Sequence, residues 1–173
     1  MKKITGKLIK IKLLLLDVDG VLTKGDVIYD DNGGEIKSFN VKDGMGIKLI
    51  LQQGFQICIV TGRSSKALRY RCKDLGINHI YEGVRDKAGL VNKISTQTQV
   101  KPEQMAFIGD DLPDLRIMKK VGLKIAVADA HEIVIENADY VTQARGGKGA
   151  VREVCEMLLK SQGQWEKLLN SFL

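Results

Sequence analysis

The chain has 173 residues, 44% hydrophobic and 28% charged, an ordinary globular mix that excludes wholesale disorder and predicts one domain over 1–173. Its net charge is +6, but only 5% of residues are aromatic and no basic stretch is interleaved with them, so a solvated lysine-rich face is expected and no nucleic-acid surface. The apolar run Leu13–Leu16 is far short of the roughly 20 residues of a membrane span, and after Lys2, Lys3, Lys7, Lys10 and Lys12 the chain reaches Asp17 without a small-residue cleavage site, so neither membrane insertion nor secretion is expected.

Lys12–Val18 reads as the first strand, buried on both faces because its leucines run on without alternating. Residues 26–40 then break the pattern. Val27, Ile28 and Tyr29, the turn Asn32-Gly33-Gly34, then Ile36 and Phe39 predict a β-hairpin. A helix near Gly44–Gln53 leads to a strand at Phe55–Val60, and a helix at Ser64–Leu75 leads to a strand at His79–Tyr81. Helix Lys87–Gln97, strand Met105–Ile108, helix Leu112–Val121 and strand Lys124–Val127 follow, then helices His131–Asn137 and Ala150–Ser161. This alternation predicts an α/β fold, a Rossmann-like doubly wound parallel sheet with helices on both faces, a small hairpin flap at about 26–40 and a C-terminal tail at about 145–173. Cys58, Cys72 and Cys155 lack C-x-x-C spacing, so neither a disulfide framework nor a zinc site is indicated, and the cytoplasm is the expected compartment.

In open parallel sheets ligands bind beyond the carboxyl ends of the strands. Asp17-Val18-Asp19-Gly20-Val21-Leu22-Thr23, Thr61-Gly62-Arg63 and Gly109-Asp110-Asp111-Leu112-Pro113-Asp114 fall there, and Lys87 opens the helix after the third strand. Taken singly, each has an ordinary explanation: a turn, a strand-to-helix connection, a helix cap or a surface lysine. Together they meet the demands of phosphoryl transfer. A carboxylate attacks phosphorus, a second one handles protons, and a hard divalent cation such as Mg²⁺, held by Asp17 and Asp110, relieves the repulsion between two anions. Thr61 and Lys87 suit the remaining phosphate oxygens, and Asp19 suits general acid/base work. Gly146-Gly147-Lys148-Gly149 is not a phosphate loop of the Walker type, because glycine follows Lys148 and position 142 is Thr.

At these residues the sequence resembles the haloacid dehalogenase superfamily of phosphatases, whose four motifs look like Asp17–Thr23, Thr61, Lys87 and Asp110–Asp114. The resemblance implies Asp17 as nucleophile and Asp19 as acid/base, with Thr61, Gly62 and Lys87 at the phosphate. Mg²⁺ would be held by the Asp17 side chain, the Asp19 backbone carbonyl and Asp110, with Asp111 and Asp114 in support. A closer resemblance runs from about Lys12 to about Gln162. Phe39-Asn40-Val41-Lys42-Asp43-Gly44, Tyr81-Glu82-Gly83-Val84-x-Asp86-Lys87, Val127–His131 and Gly146–Glu153 are similar to phosphatases of 3-deoxy-D-manno-octulosonate 8-phosphate, which act in making the inner sugar of lipopolysaccharide.

That family resemblance implies a small sugar acid phosphate as substrate. Phosphatases of the nine-carbon acid phosphate carry Glu after Thr-Gly where this chain has Arg63, so Arg63 favours the eight-carbon substrate. The nine-carbon substrate, and an inactive module keeping the fold for assembly, stay open as alternatives. Arg71 matches a position that in the nine-carbon relative reaches a neighbouring subunit's substrate carboxylate; otherwise it is a plain surface arginine. Only about forty residues separate Asp17 from Thr61, leaving no room for a cap domain between them. The resembling family is a homotetramer with packed hairpins and a Gly-Gly segment near an adjacent site. A homotetramer is therefore implied, with the hairpin's apolar residues at an interface or else on their own sheet, and Gly146–Gly149 either a flexible cover or a helix lead-in. Gln164–Leu173 departs from the family and carries no assigned role.

Overall fold

The computed structural model describes residues 2–172; Met1, Leu173 and the side chains of Lys2 and Lys3 in the basic N-terminus lie outside the described residues. Helix α1 (Lys2–Leu8) leads into β1 (Leu13–Leu16), whose leucines are all fully buried. A strand apolar on both faces is satisfied only between two helical layers. Leu14 and Leu16 accordingly pack with Ile47, Leu68 and Val154, while Leu13 and Leu15 pack with Val91, Ile117 and Val134.

The hairpin strands β2 (Ile28–Tyr29) and β3 (Glu35–Ile36) pair with each other and stand apart from the main sheet. The chain then runs through α2 (Val41–Gln52), β4 (Gln56–Val60), α3 (Lys66–Leu75), β5 (His79–Tyr81) and α4 (Leu90–Thr98). After these come β6 (Met105–Gly109), a 3₁₀ turn at Leu112–Asp114, α5 (Leu115–Met118), β7 (Leu123–Ala126), α6 (Glu132–Asn137), β8 (Tyr140–Val141), α7 (Ala150–Ser161) and α8 (Trp165–Asn170). Among the described residues six strands form one parallel sheet in the order β5-β4-β1-β6-β7-β8. Leu16 lies opposite Ile59 on one side and Ile108 on the other, so β1 and β6 end level with each other. The chain builds outward from β1 through β4 to β5, then returns to add β6 on the other side. This reversal puts the topological switch at the ends of β1 and β6, where an open α/β sheet forms its ligand crevice.

Several expected boundaries move. The first strand is shorter than Lys12–Val18. Helix Leu112–Val121 becomes a 3₁₀ turn and the single turn α5, because the Asp114 carboxylate is drawn back to the amide of Asp110 at 3.0 Å. Lys87 does not open a helix: α4 starts at Leu90, and Lys87 lies in the preceding turn with its side chain turned inward. Elements α1, β8 and α8 have no counterpart in the expectations. The α8 segment seats buried Leu168 on the core, and Trp165 lies under the cations of Lys160 and Arg152, at 4.9 and 5.9 Å from its ring centre.

Candidate active site

A cleft of about 340 Å³ opens over the switch point, lined by Asp17, Asp19, Thr61–Arg63, Lys87, Asp110, Asp111 and Asp114, with Val84, Arg85 and Pro113 beside them. All four sequence clusters therefore meet at one rim. The signal that identified them was chemical type at strand ends. Val84, Arg85 and Pro113 carried no such signal.

Asp17 continues the line of β1, its amide still donating to Ile108 O at 3.1 Å. Its carboxylate is buried and accepts from the Val18 amide at 2.7 Å and from Lys87 Nζ at 2.9 Å. Lys87, also buried, donates at 2.7 Å to Asp114, whose other oxygen takes the Asp110 amide. Asp111 accepts the Leu112 amide at 2.8 Å and caps the 3₁₀ turn. Asp111 and Asp114 thus hold the loop in shape around Asp110. Thr61 is buried at the end of β4, with its hydroxyl oxygen 3.4 Å from the Arg63 amide.

Carboxylate oxygens of Asp17, Asp110 and Asp114 all lie within 4.8 Å of one another. One buried ammonium, Lys87, pairs with two of these three carboxylates, Asp17 and Asp114, and leaves Asp110 without an ion pair of its own among the described residues. Burial, then the charges of Asp17 and Asp114, lift the Asp110 carboxyl from 3.8 to about 8. Burial and Asp114 lift Asp17 to about 6 despite Lys87. Burial alone would lower Lys87, but the pull of Asp17 and Asp114 outweighs it and the group sits above its ordinary range. Asp110 Oδ1 is buried without a hydrogen-bond partner among the described residues. An unpartnered carboxylate oxygen inside an anionic cluster of hard donors fits a small divalent cation such as Mg²⁺.

Two glycines let the rim close. Gly20 has φ +89°, and a Cβ there would lie 2.0 Å from Asp110 Oδ2. Gly146 lies so close to the first loop that a Cβ would come within 1.6 Å of Gly20 O, while the next amide, Gly147, donates to Val21 O at 2.8 Å. In this chain the Gly146-Gly147 segment is packed on its own Asp17–Thr23 loop and leads into α7.

Asp19 and Arg63 stand at the mouth. Asp19 accepts a hydrogen bond from Lys37, and its other oxygen is 3.8 Å from Arg63 Nε. Arg63 Nη2 donates to Glu35 at 2.8 Å and to the Tyr29 hydroxyl at 3.3 Å, so it is exposed but tied to the hairpin. Arg71 does not line this cleft. It is half-buried, donates to Asn40 O at 3.2 Å and lies 5.9 Å from the Phe39 ring centre, which corrects the plain-surface alternative. Sequence reasoning missed Glu35 and Lys37 as partners of the site. It also left the structural roles of Asn40 and Asp43 unread. Asn40 caps α2 by accepting the amides of Lys42 and Asp43, and Asp43 accepts those of Gly149 and Arg152 at the start of α7. An asparagine directly ahead of a helix was a readable capping signal.

Val27, Ile28, Tyr29 and Ile36 are 46–60% exposed, so they do not pack on their own sheet; Phe39 alone of the five lies against the core.

Residues 77–153 match the haloacid dehalogenase-like hydrolase family. The chain is 46% identical over 164 residues to the 3-deoxy-D-manno-octulosonate 8-phosphate phosphatase of Escherichia coli K12, covering 95% of this chain and 87% of that protein. A crystal structure of the Moraxella catarrhalis phosphatase of the same name, in complex with magnesium ion, phosphate ion and KDO, superposes with a TM-score of 0.97 at 40% identity, covering 100% of this chain and 99% of that one. The Yersinia pestis phosphatase structure gives a TM-score of 0.92 at 44% identity, covering 94% and 88%.

Proposed function

The chain belongs to the family of 3-deoxy-D-manno-octulosonate 8-phosphate phosphatases within the haloacid dehalogenase-like hydrolases, and from that premise we propose how its own residues divide the reaction. The enzyme is a magnesium-dependent phosphoric monoester hydrolase that cleaves 3-deoxy-D-manno-octulosonate 8-phosphate to the free sugar acid and inorganic phosphate. The observation that carries the residue assignment is the convergence of Asp17, Asp110 and Asp114 around Lys87 at the end of β1.

A carboxylate oxygen of Asp17 attacks phosphorus while the ester oxygen leaves and takes a proton from Asp19. Asp19 then accepts a proton from water as that water attacks the aspartyl phosphate, which returns Asp17 and frees phosphate. Thr61, the Gly62 backbone and Lys87 hold the phosphoryl oxygens. Asp17, the Asp19 carbonyl and Asp110 would hold Mg²⁺, with Asp111 and Asp114 fixing their loop. Bound there, the ion supplies the positive charge that lets one anion approach another. Arg63, at the mouth, meets the sugar acid and favours the eight-carbon chain. Phosphate release from the eight- and nine-carbon substrates, with and without magnesium, tests the reading. A clear preference for the nine-carbon acid overturns the substrate, and turnover unaffected by magnesium removal overturns the metal's place.

The enzyme further works as a homotetramer in the cytoplasm, in making the inner sugar of lipopolysaccharide. The exposed apolar hairpin supports the assembly, and the unpaired thiols of Cys58, Cys72 and Cys155 support the compartment. Arg71 is offered to a neighbouring subunit's substrate only if such an assembly brings the two together. Light scattering decides: a fully active monomer defeats the shared-site reading.

A further inference from the structure

Asp19 lies beyond the end of β1, and the side chains that meet its carboxylate come from other parts of the chain. Lys37, just past β3, donates to one oxygen, and Arg63 Nε lies 3.8 Å from the other. The Lys37 side chain is only 2% exposed, and its Nζ is also 3.3 Å from Glu35 Oε1, which in turn accepts from Arg63 at 2.8 Å. An ammonium buried this far costs several kcal/mol unless it is paired, and here Asp19 and Glu35 supply the pairing that holds it in place. Lys37 and Glu35 do not line the cleft, whereas Asp19 and Arg63 do. Lys37 therefore meets the cleft through Asp19 and does not line it itself.

We propose that Lys37 is a positioning residue for the phosphatase reaction: it holds the Asp19 carboxylate at the cleft mouth, while Glu35 orients both Lys37 and Arg63. The inference rests on reading Asp19 as the acid/base. It makes the hairpin part of the catalytic apparatus as well as an apolar surface, since its β3 arm supplies both Glu35 and Lys37.

The test compares two esters without a carboxylate, so that lost contacts to the sugar acid do not enter. Phenolate is a poor leaving group and needs a proton; p-nitrophenolate leaves without one. The full chain is assayed with magnesium, with Asp19→Asn as the reference. For Lys37→Met, kcat/KM on phenyl phosphate should fall about tenfold more than on p-nitrophenyl phosphate, part of the 10²–10⁴ that general acid catalysis contributes. Lys37→Arg should recover most of that difference. Lys37→Gln, which is uncharged and too short to reach Asp19 from the same backbone but adds no apolar surface, carries the same expectation as the Met variant where the latter fails to fold. Equal losses on the two esters, or no loss, overturn the role of Lys37 where Asp19→Asn does discriminate between them. If Asp19→Asn itself lowers both equally, the acid/base reading fails, and the proposal with it.

Discussion

The rim at the ends of β1 and β6 and the hairpin of β2 and β3 are held in place by different forces. At the rim, Asp17 extends a strand whose four leucines are fully buried, and Lys87, Thr61 and Asp114 are buried as well. The hairpin has strands of two residues each, exposes Val27, Ile28, Tyr29 and Ile36, and reaches the rim through Glu35, Lys37 and Tyr29. The difference teaches where tolerance lies. Transfer of a phosphoryl group suffers from displacements of about 1 Å, so its side chains stand on backbone fixed by core burial. The hairpin reaches the rim through ion pairs and a hydrogen bond, with its apolar face exposed on the single chain.

If the rim carries the chemistry, its substitutions should be the most damaging. Asp17→Asn keeps the shape and removes the nucleophile; phosphate release should fall by more than about a thousandfold, with the mass in light scattering unchanged. Normal turnover by this variant would break the comparison outright. Gly20→Ala comes next, because a Cβ would lie 2.0 Å from Asp110 Oδ2 and the φ of +89° disfavours any side chain. We expect a loss of about 1–3 kcal/mol in chemical denaturation together with weakened magnesium binding in calorimetry.

The two regions also differ in how far they could be read from sequence. Four leucines in a row admit little except a strand covered on both faces, and the acids after them are of the right type and in the right chain order. The sheet and the rim were legible for those reasons. Lys87 was found by type, but its place in a turn before α4 follows from its reach to Asp17 and Asp114, which no local pattern encodes. The short α5 was over-read because Pro113 and Asp114 suit a helix start while the tertiary pull on the Asp114 carboxylate tightens that start into a 3₁₀ turn. In the hairpin only the apolar residues gave a signal. Lys37 and Glu35 read as ordinary strand polars, since their partners Asp19 and Arg63 lie 18 and 28 positions away.

Titration sharpens the account of the rim. A carboxyl whose folded pKa is raised keeps its proton at a pH where the unfolded chain has lost it. These two carboxyls therefore give the metal-free fold a contribution that is present at low pH and is lost as pH rises from 3.8 to about 8, the window set by Asp110, with Asp17 contributing up to about 6. Magnesium needs those carboxylates ionised, so its stabilisation runs the other way. The rise in melting temperature on adding saturating magnesium should be larger at pH 8 than at pH 5. A rise that is the same at both values would mean that the ion does not sit among Asp17 and Asp110.

The smallest effect on a subunit's own fold should come from the hairpin's outer face. Ile28 is 46% and Tyr29 60% exposed, so replacing both by Ser removes little that the single chain buries, and such surface changes stay within about 0.5 kcal/mol each. The same residues are what an assembly would cover. Ile28→Ser with Tyr29→Ser should therefore leave the melting temperature at low protein concentration almost unmoved while lowering the mass measured by light scattering. Tyr29 also accepts from Arg63 at 3.3 Å, so a single Ile28→Ser separates the apolar contribution from that hydrogen bond. If the double variant keeps its full mass, the hairpin faces solvent rather than another subunit, and the contrast between a self-sufficient rim and a partner-dependent hairpin no longer holds.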